Sequence, residues 1–167
     1  IGEVNILLSE LEPHLNDTTI LNGLNFIYKN GNPPFNLNRL AEKILLRAGM
    51  LYNKTFVDKT YQSLSELKNF KKISIEFSPL NFSENNALLS ANIFLLAGKK
   101  IAYSLETEVT SNPILNEGIS GSASISHYNA FKGAEHIQLT YKGSSNFNNI
   151  SENGMVLNLT IPSLISP

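Results

Sequence analysis

Between residues 101 and 161 the chain repeats one pattern four times: apolar and polar side chains alternate residue by residue, and then a turn signal intervenes. Ile101, Tyr103, Leu105 and Val109 alternate with Ala102, Ser104, Glu106, Glu108 and Thr110. Ile119, Ala123 and Ile125 alternate with Ser120, Ser122, Ser124 and Ser126. Ile137, Leu139 and Tyr141 alternate with His136, Gln138, Thr140 and Lys142, and Met155, Leu157, Leu159 and Ile161 with Val156, Asn158 and Thr160. The turn signals are Ser111-Asn112-Pro113, Asn129 to Gly133, and the Asn-rich run Asn146 to Gly154. Successive side chains of a strand point to opposite faces, so this pattern predicts an antiparallel meander with one oily face and one polar face. From Gly98 onward no helical period is visible.

Alternation alone does not say which solvent the oily face meets. In a soluble sandwich it packs on another sheet; in a membrane barrel it meets lipid while the polar residues line a wet lumen. Two details favour the barrel. The polar side of the second strand is nearly all serine, with Gly118 and Gly121 nearby, whereas a solvated outer face usually carries long Lys and Glu side chains. The segment also has little material for a second layer, and four strands with open edges and one face to bury are marginal alone.

From Ile1 to about Ala97 the pattern is mixed. Val4, Ile6 and Leu8 alternate with polar residues, giving a short strand, and a loop rich in Asn, Gly and Pro follows, interrupted by Ile20–Tyr28 as a second extended piece. After Pro33-Pro34, Asn36 or Asn38 is placed to cap a helix bearing Leu37, Leu40, Ile44 and Leu45, with Gly49 as its stop. A second helix starts near Asn53 to Thr55, with Val57, Tyr61, Leu64 and Leu67 on one stripe and Asp58, Lys59, Gln62 and Glu66 facing water. Phe70 closes that face. Ile73, Ile75 and Phe77 read as the next strand, and Leu89, Ala91, Ile93 and Leu95 as another. The expected unit is α+β in the order β-α-α-β-β, with both helices on one face of a sheet. The expected division is a first domain over residues 1–97 and barrel strands over 98–167.

The bulk composition excludes several classes. A net charge of -1 gives no basic surface for nucleic acid. Cysteine is absent, which removes disulfides, thiolate metal sites and thiol nucleophiles. No stretch of about 18 apolar residues exists, so a transmembrane helix is not expected, while barrel strands of about 10 half-polar residues remain open. The chain begins at Ile1 without a signal-like segment and reads as a piece of something longer; a deliberately trimmed chain has the same ends.

Six stretches carry a family resemblance. Leu46-Arg47-Ala48-Gly49-Met50-Leu51-Tyr52, Thr60-Tyr61-Gln62-Ser63-Leu64, and Leu67-Lys68-Asn69-Phe70-Lys71-Lys72-Ile73-Ser74-Ile75-Glu76-Phe77 resemble a POTRA domain: a Gly-x-x-Tyr turn between helices, a Leu-x-x-Leu helix face and a Phe-x-x-Ile-x-Ile strand entry. Lys99 to Thr110 looks like the first barrel strand of the BamA/TamA superfamily. Ile125 to Glu135 is similar to its next turn, where an aromatic, a Gly and an acidic residue start the following strand, and Leu139 to Gly143 fits that strand. The resemblance is greatest to TamA-like members, including the lipoprotein TamL type, and covers nearly the whole chain. It implies a periplasmic POTRA domain joined to the first strands of a transmembrane β-barrel, residence in the bacterial outer membrane, and a task of barrel insertion or export. The implied partners are client outer-membrane or exported proteins, periplasmic or inner-membrane assembly partners, and the lipid bilayer, with no cofactor. The chain departs from the family in its long loop between Leu8 and Leu37 and in holding about four barrel strands. The late-barrel loop motif of the family would fall beyond Pro167.

Other candidate residues read as structural. His14, His127 and His136 have no metal-ligand spacing. Gly118-Ile119-Ser120-Gly121-Ser122 fails the Gly-x-Ser-x-Gly spacing of a hydrolase elbow and lacks its strand-to-helix turn. Glu106 and Glu108 share a face, as solvating acids commonly do. Asn16, Asn53, Asn81, Asn149 and Asn158 start sequons of the kind an Asn-rich chain produces by chance. No catalytic constellation emerges, and the expectation is a protein without enzymatic activity. Under the resemblance, the functional chemistry is backbone hydrogen bonding at two strand edges. One is the edge at Ile73, Ile75 and Phe77; the other is the first barrel strand, with Ile101, Tyr103, Leu105, Thr107 and Val109. The equally weighted alternative is that both edges are paired within the intact protein. The competing reading is a soluble α+β module followed by a β-sandwich that grips a protein or carbohydrate, and a hydrolase is a distant third.

Overall fold

Val4, Ile6 and Leu8 form the buried side of a strand, β1 (Glu3–Ser9), whose neighbours alternate half-buried with buried along its length. The computed structural model describes residues 1–9, 17–29, 31–83, 86–110, 118–146 and 150–162. The chain makes two compact units. One comprises Ile1–Lys99 with the short segment Lys132–Ala134 and Pro162; the other comprises Lys100–Phe131 and Glu135–Ile161.

In the first unit β1 is followed by β2 (Asp17–Leu21), β3 (Leu24–Tyr28), α1 (Leu37–Lys43), α2 (Lys54–Ser65), β4 (Phe70–Ser83) and β5 (Asn86–Ala97). The five strands form one sheet in the order β2-β3-β1-β5-β4. β1 is central and runs parallel to both β3 and β5; the pairs β2–β3 and β4–β5 are antiparallel. One face carries the core. Val4, Ile6, Leu24, Phe26, Ile93 and Leu95 are buried with Leu40, Ile44, Leu46 and Leu64 from the helices and the segment between them. Each such side chain removed from water stabilises the fold by about 1.5–3 kcal/mol. On the other face an amide ladder crosses three strands: Asn25 donates to Asn5 Oδ1 at 2.9 Å, and Asn5 to Asn92 Oδ1 at 3.1 Å.

Three local expectations change. Ile20–Tyr28 is a hairpin rather than one extended piece. Its turn is Asn22-Gly23, with φ of 53° and 74°, and a two-residue turn matching strand twist needs positive φ at both positions, which Asn-Gly supplies. The sheet therefore holds two strands more than the β-α-α-β-β order would give. Helix α1, capped by Asn36, ends at Lys43 and does not run on to Gly49. Ile44 and Leu46 are both buried while Leu45 is exposed, a period-two pattern that favours extended backbone there. Arg47 secures this end by donating to the carbonyls of Ala41 at 3.0 Å, Leu46 at 2.8 Å and Ile44. Desolvation lowers its pKa, yet an arginine keeps its proton at any ordinary pH. Gly49 still turns the chain, with φ of 86°. In α2, capped by Asn53, the buried stripe takes Thr60 rather than Tyr61. The Thr60 hydroxyl accepts the Leu45 N–H at 3.0 Å, so a buried polar pair is satisfied, while Tyr61 is half exposed.

The second unit is a four-stranded antiparallel meander, β6 (Ile101–Thr110), β7 (Gly118–Tyr128), β8 (His136–Asn146) and β9 (Ile150–Thr160), in sequence order. Register runs without a shift along each pair. The turn expected at Asn129 to Gly133 is present. There the Phe131 N–H donates to Glu135 Oε2 at 3.2 Å, and the Asn129 N–H to the Glu135 carbonyl at 2.7 Å. The expected turn Ser111-Asn112-Pro113 lies outside the described residues. The run from Asn146 ends sooner than its composition suggests, because Ile150 to Gly154 already belong to β9.

Candidate functional site

Cross-strand pairing in the second unit keeps like with like. Ile101, His127, Ile137 and Leu159 form one row, Tyr103, Ile125, Leu139 and Leu157 the next, and Leu105, Ala123, Tyr141 and Met155 a third. The opposite face has Ala102, Ser126, Gln138 and Asn158 in one row and Ser104, Ser124, Thr140 and Val156 in the next. Because side-chain period and register coincide on all four strands, the sheet has an oily side and a polar side along these rows.

The apolar side of this sheet stands exposed. Tyr103, Leu105 and Leu157 are 77%, 79% and 69% exposed; on the polar side Ser126 and Thr140 are buried, while Ser104, Glu106, Glu108, Lys142 and Asn158 are exposed. A soluble monomer rarely exposes a continuous apolar surface on this scale. The polar side is small and internally bonded. Ser104 and Ser124 share a hydrogen bond at 2.7 Å.

The oily band is also staggered. On β6 and β7 it reaches the paired Val109 and Ile119, while the same row on β8 and β9 holds Ser145 and Ser151. There the band stops at Tyr141 and Met155, about four residues short, and at its other end it continues to Ile161. Strands tilted about 40° in a barrel slide a level band by about 3–4 residues over three neighbours. The stagger has the size that tilt requires.

Both strands expected to offer edges are terminal in their sheets: β4 in the first and β6 in the second. On β4, Ile73, Ile75 and Phe77 pack partly buried against the core. On β6, Ile101, Tyr103, Leu105 and Val109 stand exposed on the oily side with Thr107 between them. The sequence left unmarked a third terminal strand, β2, because the hairpin containing it was read as one piece; the Asn22-Gly23 pair was the available signal.

The remaining candidates do not converge. His127 lies on the oily side, and His136 stacks on Tyr128 with ring centroids 4.6 Å apart. His14, Asn16 and Asn149 lie outside the described residues. Glu106 and Glu108 lie on the polar side of β6, Gly118 to Ser122 is regular strand, and Asn53 is a helix cap. Among the described residues no group of His, Asp or Glu is arranged to hold a metal. Among them, too, no helix is long and apolar enough to cross a membrane, which says nothing of crossing by strands.

No family model matches the chain, and no curated protein matches it in sequence. Among solved structures it is similar to CdiB from Acinetobacter baumannii, with 15% identity and a TM-score of 0.60 over 97% of this chain and 26% of that one. It is also similar to BamA from Haemophilus ducreyi lacking POTRA domains 1–3, with 11% identity and a TM-score of 0.49 over 93% of this chain and 24% of that one. The chain thus spans about a quarter of the length of the structures it matches. The likeness to CdiB takes in nearly all of this chain and identifies its fold with that segment.

Proposed function

We propose that this chain is part of an outer-membrane protein of the BamA/TamA superfamily, in which a periplasmic POTRA-type unit leads into the first strands of a transmembrane β-barrel. The whole protein would insert or translocate other proteins at the outer membrane, with client outer-membrane or exported proteins as its substrates. The observation that carries this reading is the two-sided sheet: rows of exposed apolar side chains on one side, a serine-rich polar side opposite, and an apolar band staggered as a tilted barrel wall demands. The fold shared with CdiB supports the wider superfamily, while the TamA/TamL affiliation and the POTRA assignment rest on the sequence motifs.

The physics then follows from the solvent. Strands of 10 and 11 residues suit a tilted crossing of the hydrocarbon. In lipid every backbone N–H and C=O needs a partner, so the outer edges of β6 and β9 must be met by further strands. Where β6 borders a weakly paired seam, its backbone along Ile101, Tyr103, Leu105, Thr107 and Val109 can pair with the edge of a client strand. Such pairing takes its affinity from the main chain and needs no catalytic side chain, metal or cofactor.

The cysteine-free chain makes the test direct. Single cysteines at Tyr103, Leu139 and Leu157, and in parallel at Ser104, Gln138 and Asn158, carry an environment-sensitive fluorophore in chain reconstituted with phospholipid vesicles. Quenchers borne on lipid tails should dim the first set and spare the second. Equal access of a water-soluble quencher to both sets, with a monodisperse detergent-free sample, would instead establish the soluble sandwich.

A further inference from the structure

The polar side of β6 is not uniform along its length. In its first half Ala102 and Ser104 pair with Ser126 and Ser124, all neutral, and Ser104 bonds to Ser124 at 2.7 Å. In its second half two carboxylates, Glu106 and Glu108, project on the same side, both exposed. Their cross-strand partners are serines, which bring no charge: Ser122 faces Glu106 and reaches its Oε2 only at 3.5 Å, and Ser120 faces Glu108. The row of Glu106 runs on through Lys142 to Gly154, and that of Glu108 through Ser144 to Glu152. Lys142 is therefore two strands from β6, and Glu152 adds a third carboxylate at this level.

These two carboxylates lie on the terminal strand of the sheet, so any strand added at the edge is placed beside them. Each strand of the meander runs opposite to its neighbour, and a strand continuing it outward from β6 is antiparallel to β6. From its N-terminal end, its polar-side residues then fall into the rows of Glu108, Glu106, Ser104 and Ala102 in that order, at alternate positions. Side chains directly opposite one another in paired strands stand close enough for opposite charges to attract and like charges to repel. Main-chain pairing attracts every extended segment alike; discrimination comes from these rows, through attraction to a cation and repulsion of a third and fourth carboxylate.

We infer that β6 selects its clients by charge, through Glu106 and Glu108. The segment it takes up is an amphipathic strand with lysine or arginine at two alternate polar positions near its N-terminal end, followed by small neutral residues opposite Ser104 and Ala102. This rests on the strand-edge reading of β6 above and names the substrate class for that edge.

The absence of native cysteine lets a disulfide both report pairing and set its register. Full chain bearing Tyr103→Cys is diluted from urea into phosphatidylcholine vesicles together with a synthetic peptide, under a glutathione redox buffer. The peptides alternate Ile and Ser, with cysteine at the Ile that faces residue 103, since directly opposed Cβ atoms lie within disulfide reach. The two polar residues facing Glu108 and Glu106 are both Lys, both Ser or both Glu. At equilibrium the disulfide-linked fraction should fall from the Lys through the Ser to the Glu peptide, with about tenfold between the extremes at low salt and less at high salt. Glu106→Lys combined with Glu108→Lys should reverse that order, and Glu106→Gln combined with Glu108→Gln should level it. Equal capture of the three peptides, the opposite order, or an order that survives either pair of substitutions overturns the charge selection and leaves the edge reading standing. Capture of none of the three overturns both.

Discussion

Phe26 in the first sheet and Leu157 in the second both belong to the apolar side of a regular strand, yet Phe26 is fully buried and Leu157 is 69% exposed. The local rule, period-two alternation, is the same in both. What differs is what lies opposite: helices α1 and α2 cover the apolar side of the first sheet, whereas no described element of the second unit covers its own. Alternation fixes which residues share a side and leaves the medium on that side undetermined. For the second sheet the pointers to that medium are secondary traits, namely serine in place of long charged residues on β7 and a band that slides from strand to strand.

The largest expected effect tests this contrast at its deepest point. Phe26→Ala leaves a cavity beneath the helices and should cost the first unit about 3–5 kcal/mol, read as a lowered urea midpoint of its unfolding. The matching truncation Leu157→Ala should leave that midpoint unchanged. A cost at Leu157 equal to that at Phe26 would show that the second sheet, too, packs on a protein layer.

A charge sharpens the comparison next. Leu157→Lys should destabilise the vesicle-embedded sheet by about 2–4 kcal/mol if the residue sits at mid-bilayer, whereas Asn158→Lys, one residue on and pointing the other way, should cost little. Folding yield into vesicles against urea measures both. Similar values for the two would remove the distinction between lipid and lumen on which the proposed function stands.

Sequence reading reaches as far as local rules reach. The four strands β6–β9 are legible because alternation marks each of them, although β9 begins at Ile150, inside the Asn-rich run. The end of α1 is not, because Ile44, Leu45 and Leu46 satisfy a helical stripe as well as an extended one, and the tie is broken by the bonds of Arg47 and by Thr60 reaching from α2. Helical spacing puts Tyr61 on the apolar stripe, yet the buried position goes to Thr60, whose hydroxyl answers the Leu45 N–H. Nothing local announces that β1 lies between β3 and β5 and parallel to both, since parallel partners are joined through distant segments. Of the candidate site, the oily side and the β6 edge were visible in the pattern. The β2 edge was hidden with its hairpin.

Two glycines bring the comparison down to a single methyl group. A Cβ at Gly23 or at Gly154 meets nothing within 4 Å, so packing is silent at both. Gly23 has φ of 74° and is the second turn residue of β2–β3, where an L side chain is strained; Gly154 sits in β9 with ordinary strand backbone. Gly23→Ala should therefore destabilise the first unit by about 1 kcal/mol, and the β2 hairpin should exchange its amide hydrogens faster. Gly154→Ala should stabilise the second sheet by about 0.4–1 kcal/mol, because alanine narrows the unfolded ensemble without cost to the strand. The same substitution thus takes opposite signs in the two units for a backbone reason alone. A destabilising Gly154→Ala would mean that the polar side of β9 faces packed atoms rather than an open lumen.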